Sequence, residues 1–218
     1  MTVAAVILSA TAEGALADTL GQARVRRLVD IAWAGGAMPI IVVAPDHDGS
    51  VAAALATTEA IYGTPAPHEA GPVGQMVRGM ELAQAEVRET TAALIWPARM
   101  VWVGAETVTS LIEAHGPDPS TVLLPAWEGE PGWPVLVPLA HLDALRAIAP
   151  NAMPLDVIHQ LVEAVPPRVI EMGDPGVIHD ADTPVAELPR YDGPPEPPAG
   201  HTHEWGADVV AEADLTEP

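Results

Sequence analysis

Three short runs without a polar side chain constrain this chain most: Val3–Leu8 (VAAVIL), Pro39–Ala44 (PIIVVA) and Ala92–Trp96 (AALIW). Each is too short for a buried helix and lacks a polar face, so each reads as a strand covered on both sides. Such strands need helices on both faces of their sheet, and helical patterns lie between them. Val25, Leu28, Val29 and Ala32 share one face of a helix that Gly35-Gly36 ends, with Arg24, Arg27 and Asp30 largely off that face. Val73, Met76, Val77, Met80, Ala83 and Val87 mark a second helix, and Ala105–His115 a third. Ser50 is placed to cap a short Ala-rich helix through Ala56. The stretch from Ser9 to about Gly21 reads as a loop of small residues, and Ile61-Tyr62 as a short strand.

Beyond the third run, TVLLP (Thr121–Pro125) and PVLVP (Pro134–Pro138) flank a Glu-Gly-Glu-Pro-Gly turn and predict a hairpin. Helices near Leu139–Ile148 and Pro154–Val165 precede a last strand at Arg168–Met172. The expected fold is therefore α/β: a three-layer sandwich around a mostly parallel, mixed sheet, with the three apolar runs as neighbouring central strands. Its body is expected over residues 1–188. Residues 189–218 form a tail, because Glu187–Pro218 holds six prolines and eight acidic residues without apolar periodicity. Such a segment cannot bury a core and is expected to be disordered or loosely docked. The core itself has to be Ala, Val, Leu and Ile with six tryptophans as the large pieces, since phenylalanine is absent.

Charge narrows the function. There is no lysine, and nine arginines face 30 acidic residues, for a net charge of −21. A field of that sign opposes nucleic acid and anionic membranes, so neither is expected as a partner. A high-salt habitat and high-GC codon bias both produce such a composition, and both stay open. With no cysteine there is no disulfide framework, thiolate nucleophile or Cys-ligated zinc. The N-terminal apolar stretch lacks a basic flank and is too short to span a bilayer, so a cytoplasmic location is expected. No Gly-Lys-Ser phosphate loop, dinucleotide fingerprint or Ser-His-Asp elbow is present, and no catalytic residue is assigned.

Four segments, in this order, carry a resemblance: VAAVILSA, GPVGQMVRGMELA, EGEPGWPVLVP and DPGVIHDADTPVAEL. Together they resemble the nucleotidyltransferases of molybdenum-cofactor biosynthesis, the molybdopterin cytidylyltransferase-like branch above all, over Val3 to about Leu188. The first is similar to the strand entering that family's Gly-rich nucleotide loop. The second is similar to its arginine-bearing helix beside the nucleotide. The third is similar to its Gly-His-Pro-Val element, with Trp133 for histidine, and the last to its closing Asp-x-Asp-Thr-Pro motif. The resemblance implies a nucleotide-diphospho-sugar-transferase-like fold. For an active member it implies Mg²⁺ and coupling of CTP or GTP to molybdopterin.

Two departures bear on that chemistry. The family's loop reads Leu-Ala-Ala-Gly-x-Ser-x-Arg-Met-Gly-x-x-Lys, whose glycines admit phosphate and whose cations neutralise it. Here it reads LSATAEGALADTLGQ: Thr11 stands at the first glycine, Gly14 remains, the cations are missing, and Glu13 and Asp18 add negative charge. After the central strand, Arg99 stands where the family places a metal-binding aspartate, and a guanidinium cannot ligate a hard cation.

The candidate nucleotide-binding residues are thus Arg78, Thr11, Gly14 and Arg99, and the candidate metal ligands Asp180 and Asp182. Bland readings stand beside each. Arg78 is also a plausible surface residue, and Asp182-Thr183-Pro184 a helix start. Arg24, Arg26 and Arg27 form either an anion site or a solvated face paired with carboxylates, and Arg99 either an anion ligand or an internal ion-pair partner of Asp180 or Asp182. Trp96, Trp102, Trp127 and Trp133 either stack on a base or fill the core, and His201 and His203, followed by Glu204, make a weak metal motif. The favoured expectation is a degenerate nucleotidyltransferase-like protein acting as a binding or accessory subunit. Its partner is a protein or a small-molecule nucleotide, and no cofactor is assigned outside the active alternative.

Overall fold

The computed structural model describes residues 2–193. Along the chain run β1 (Thr2–Leu8), α1 (Ala12–Leu16), the two-residue strands β2 (Asp18–Thr19) and β3 (Gln22–Ala23), α2 (Arg24–Ala34), β4 (Ile40–Val43), α3 (Ser50–Leu55) and β5 (Ala60–Gly63). Then come α4 (Gly71–Glu86), β6 (Thr90–Pro97), α5 (Ala105–His115), β7 (Val122–Trp127), β8 (Glu130–Pro131) and β9 (Val135–Pro138). The last elements are α6 (Leu142–Arg146), α7 (Pro154–Ala164) and β10 (Pro167–Glu171).

The main sheet has the order β10-β7-β9-β6-β1-β4-β5, with β8 paired to β7. β1 lies parallel between β4 and β6, in register Ile7 with Val42 and Trp96, so the three apolar runs are neighbouring central strands. β9 runs antiparallel between β6 and β7, which makes the sheet mixed and realises the expected hairpin.

Period-two alternation sorts the sheet's side chains into two cores. Ala5, Ile7, Val42, Leu94 and Trp96 pack with α2, α3 and α5 on one face. Ala4, Val6, Ile41, Val43 and Ile95 pack with α4, α6 and α7 on the other. This is a three-layer α/β sandwich, and it explains the absence of any polar position in the central runs.

Local expectations change in four places. The expected loop of small residues after β1 folds into α1, which Thr11 caps, and the small β2–β3 ladder. Ser50 is the first residue of α3 and not its cap. Asp46 accepts from the N–H groups of Val51 and Ala52, and Asp48 from that of Ser50, since a carboxylate reaches those donors more strongly than a hydroxyl. The expected helix over 139–148 is a 3₁₀ turn, Leu139–His141, followed by α6. Trp33 is exposed, so one tryptophan does not serve the core.

Residues 189–193 run beside Gly173, whose carbonyl accepts from Asp192 N–H at 2.8 Å. The rest of the tail, including His201, His203 and Glu204, lies outside the described residues.

Candidate functional site

The carboxyl ends of β1 and β6 open the site. Ala98 N–H donates to Leu8 O at 2.8 Å, which ties the turn after β6 to the end of β1. Trp96, fully buried, donates its Nε1–H to Met100 O at 2.9 Å and fixes the fold of that turn from below. Arg99 is thereby raised onto the outer rim, with its side chain about half exposed.

Its guanidinium pairs with the closing motif through one edge. Nε and Nη2 donate to Asp180 Oδ2 at 3.1 and 2.8 Å, and Nη2 also donates to Asp182 Oδ2. The backbone repeats the connection, Ala181 N–H donating to Arg99 O at 2.8 Å. Asp180 also accepts from Asp182 N–H through Oδ1 at 2.9 Å. Desolvation pushes the Asp180 carboxyl up, but that N–H and the Arg99 guanidinium outweigh it and hold the group below the ordinary aspartate value. The same two carboxylates raise the pKa of Arg99.

The closing segment is held firmly. Trp102 Nε1–H is shared between the carbonyls of Asp180 (2.8 Å) and Thr183 (3.1 Å), and Arg27 stacks on its ring at 5.8 Å. Arg27 also donates Nε–H to Val101 O at 3.1 Å. Asp174 is 2% exposed and accepts from Gly104 N–H and Thr107 Oγ1–H through Oδ2 and from Gly176 N–H through Oδ1. It joins the start of α5 to the closing segment. The Asp-Pro-Gly at 174–176 was the only sequence signal for that role. The Asp182-Thr183-Pro184 stretch leads into one 3₁₀ turn, Val185–Glu187, without a side-chain cap.

The candidates fall into separate groups. Asp180 and Asp182 come together with Arg99, and Arg24 lies within electrostatic reach of all three. Arg26 points elsewhere, donating to Thr57 Oγ1 at 2.8 Å, so the three clustered arginines do not share one face. Thr11 accepts from Gly14 N–H at 2.9 Å, so the loop's remaining glycine amide is bound within the chain. Arg78 belongs to α4, on the opposite face of the sheet from α2. There it donates to Thr64 O at 3.4 Å and lines an open pocket of about 460 Å³ with Thr64–Pro67, Gly74, Val77 and Glu81. Gln75 clamps both backbone groups of Ala66 beside it, at 2.8 and 3.0 Å. Trp127 meets the His179 ring at 5.8 Å, and Trp133 packs against both cores. Core-filling describes Trp96 and Trp133, and clamping describes Trp102.

The Arg99 guanidinium stands between Asp180 and Asp182, at the place a divalent cation bound by both carboxylates would take. Among the described residues no group of three or more His, Asp or Glu side chains is arranged to hold a metal.

A family model, the MobA-like NTP transferase domain, matches residues 13–165. The chain belongs to that family. The match covers the MobA-like body from α1 to the end of α7 and stops short of Asp180 and Asp182. No curated protein sequence matches the chain.

Solved structures share the MobA-like fold. A 4-diphosphocytidyl-2C-methyl-D-erythritol synthase from Anaerococcus prevotii aligns with TM-score 0.63 at 13% identity, over 83% of this chain and 92% of its own. A nucleotidyl transferase from Methanothermobacter thermautotrophicus gives 0.61 at 21%, over 78% and 87%. Rv0371c of Mycobacterium tuberculosis, solved in complex with manganese, gives 0.58 at 17%, also over 78% and 87%. Identities this low establish the nucleotidyltransferase-like fold alone. Among the described residues no helix is long and apolar enough to cross a membrane.

Proposed function

We propose that this MobA-like protein is a degenerate nucleotidyltransferase, one that does not carry out metal-dependent transfer and serves as a binding or accessory subunit in molybdenum-cofactor maturation. One observation carries the reading: the Arg99 guanidinium lies between Asp180 and Asp182. Nucleotidyl transfer develops negative charge on phosphate oxygens, and a metal held by carboxylates supplies several kcal/mol of its stabilisation. The mycobacterial neighbour takes manganese. This chain instead pairs its two carboxylates with a guanidinium, which has no lone pair to ligate a metal. Thr11 and Gly14 support the same reading, since they form a capped helical turn rather than an open phosphate cradle.

Thermal melts with Mg²⁺ and Mn²⁺, together with a pyrophosphate-release assay, test this. Neither ion should raise the melting temperature of the native chain, because only a ligand bound to the folded state stabilises it. Arg99→Asp should convert the site into three carboxylates and produce an Mn²⁺-dependent rise. Pyrophosphate release from CTP or GTP in the presence of molybdopterin and Mg²⁺ would overturn the reading and restore an active transferase.

A further inference from the structure

The last strand of the main sheet has one side uncovered. β10 pairs with β7, and among the described residues no strand pairs with its other side. Met172 N–H donates to Ala126 O at 2.9 Å, while Pro125, in register with Ile170, gives its carbonyl to Gly132 on the far side of β7. In a parallel ladder alternate residues turn both backbone groups to the same neighbour. Arg168 and Ile170 therefore face β7 as Met172 does, and Val169, Glu171 and Gly173 turn their N–H and C=O groups outward. Val169 also exposes half of its apolar side chain on this strand. A bare strand edge is open to pairing with any extended chain.

The chain itself reaches that edge where the described residues end. Asp192 N–H donates to Gly173 O, one of the outward groups, at 2.8 Å. A Cβ on Gly173 would stand 2.7 Å from Asp192 C and Gly193 N, so the glycine admits a backbone at contact distance. We propose that residues 194–198, Pro-Pro-Glu-Pro-Pro, continue from this contact as an antiparallel strand along the outer edge of β10 and close it to other chains. The contact does not depend on what the Arg99 site binds.

Direction and register follow from the anchor. The closing segment lies at the carboxyl ends of the strands, so a chain that leaves it at Gly173 and follows β10 runs toward that strand's start. Asp192 opposite Gly173 then places Pro194 opposite Glu171, Glu196 opposite Val169 and Pro198 opposite Pro167. Glu196 is the one residue of the run with a backbone N–H, and it falls at an inward position, where it donates to Val169 O. The carbonyls of Pro194 and Glu196 accept from Glu171 and Val169. Pro198 and Pro167 oppose each other with no donor on either side. Pro195 and Pro197 turn outward, and an edge without N–H groups offers a further chain no ladder. Proline's fixed φ already lies near the extended region, which presets the run for this path. Five extended residues span about 17 Å, enough to cover the five of β10.

Amide hydrogen exchange, read residue by residue on the full chain and on a chain ending at Gly193, decides the matter. Val169 and Glu171 should exchange at least about fivefold more slowly in the full chain, the factor that one hydrogen bond gives. Ile170 and Met172 face β7 and should exchange alike in both chains, which separates loss of the cover from loss of the fold. Glu196→Pro in the full chain should expose Val169 as truncation does. Glu196→Ala keeps the backbone N–H and should leave Val169 protected. Equal exchange of Val169 and Glu171 in the two chains, fast or slow, would overturn the proposal, and so would protection that ignores Glu196→Pro. Protection that grows with protein concentration would make a second copy the occupant and overturn it as well.

Discussion

Two buried or half-buried ionisable groups give the protein separate acid transitions. His115 is fully buried at the end of α5, with Nε2 beside Thr91 Oγ1 at 3.1 Å and Nδ1 unpartnered. The helix C-terminus and Asp118 favour the imidazolium, but desolvation is larger and pushes the pKa below 6.5. The unfolded chain therefore takes up a proton that the folded chain refuses. Stability should fall as pH drops through about 6.5 toward the lower folded value. Asp180 acts in the same direction further down, because its folded pKa lies below 3.8 and its ion pair is lost only as pH falls through that value. Melting curves against pH should show the first limb flattened by His115→Leu and the second by Arg99→Ala. A first limb unchanged in His115→Leu would show that the imidazole is not the group responsible.

The contact of α4 with β1 sets how closely a helix can lie on the sheet. Gly79 is buried, and a Cβ built there would stand 2.2 Å from Val6 Cγ1. Val6 cannot give way, since it is fully buried in the central strand and β-branched side chains are stiff. Gly79→Ala should therefore destabilise by about 1–3 kcal/mol through overpacking, despite alanine's better helix propensity. Denaturant unfolding measures this, and a stabilised variant would mean that α4 shifts freely on the sheet. The Gly79 position was legible only as part of a helix. That it must be glycine follows from which strand lies beneath it.

Over the whole molecule, self-repulsion of a −21 charge opposes the ion pairs that hold individual side chains. The ion pairs among the described residues involve only Arg99 and Arg146, and all of their side chains are substantially exposed. Salt screens both effects, but exposed pairs contribute little and the excess negative charge is large. Raising NaCl from about 0.05 to 1 M should therefore raise the melting temperature. A fall would show that the ion pairs of the closing segment outweigh the repulsion.

The architecture was written into the order of apolar runs and amphipathic helices, because burial on both faces of β1, β4 and β6 leaves no place for a polar residue. Local hydrophobic pattern determines that much, since periodicity is a property of neighbouring residues. That an arginine stands at position 99 was legible, and an ion pair with Asp180 or Asp182 was one of the two readings the sequence left open. Whether that guanidinium faced a ligand or Asp180 and Asp182 depended on contacts across more than 80 residues of chain. The Trp102 clamp and the Asp174 strut have the same origin: each is defined by a partner that only folding brings into reach. Sequence determined which layers this protein would build, and tertiary structure decided how its few cations were used, because a charge acts through what lies near it in space.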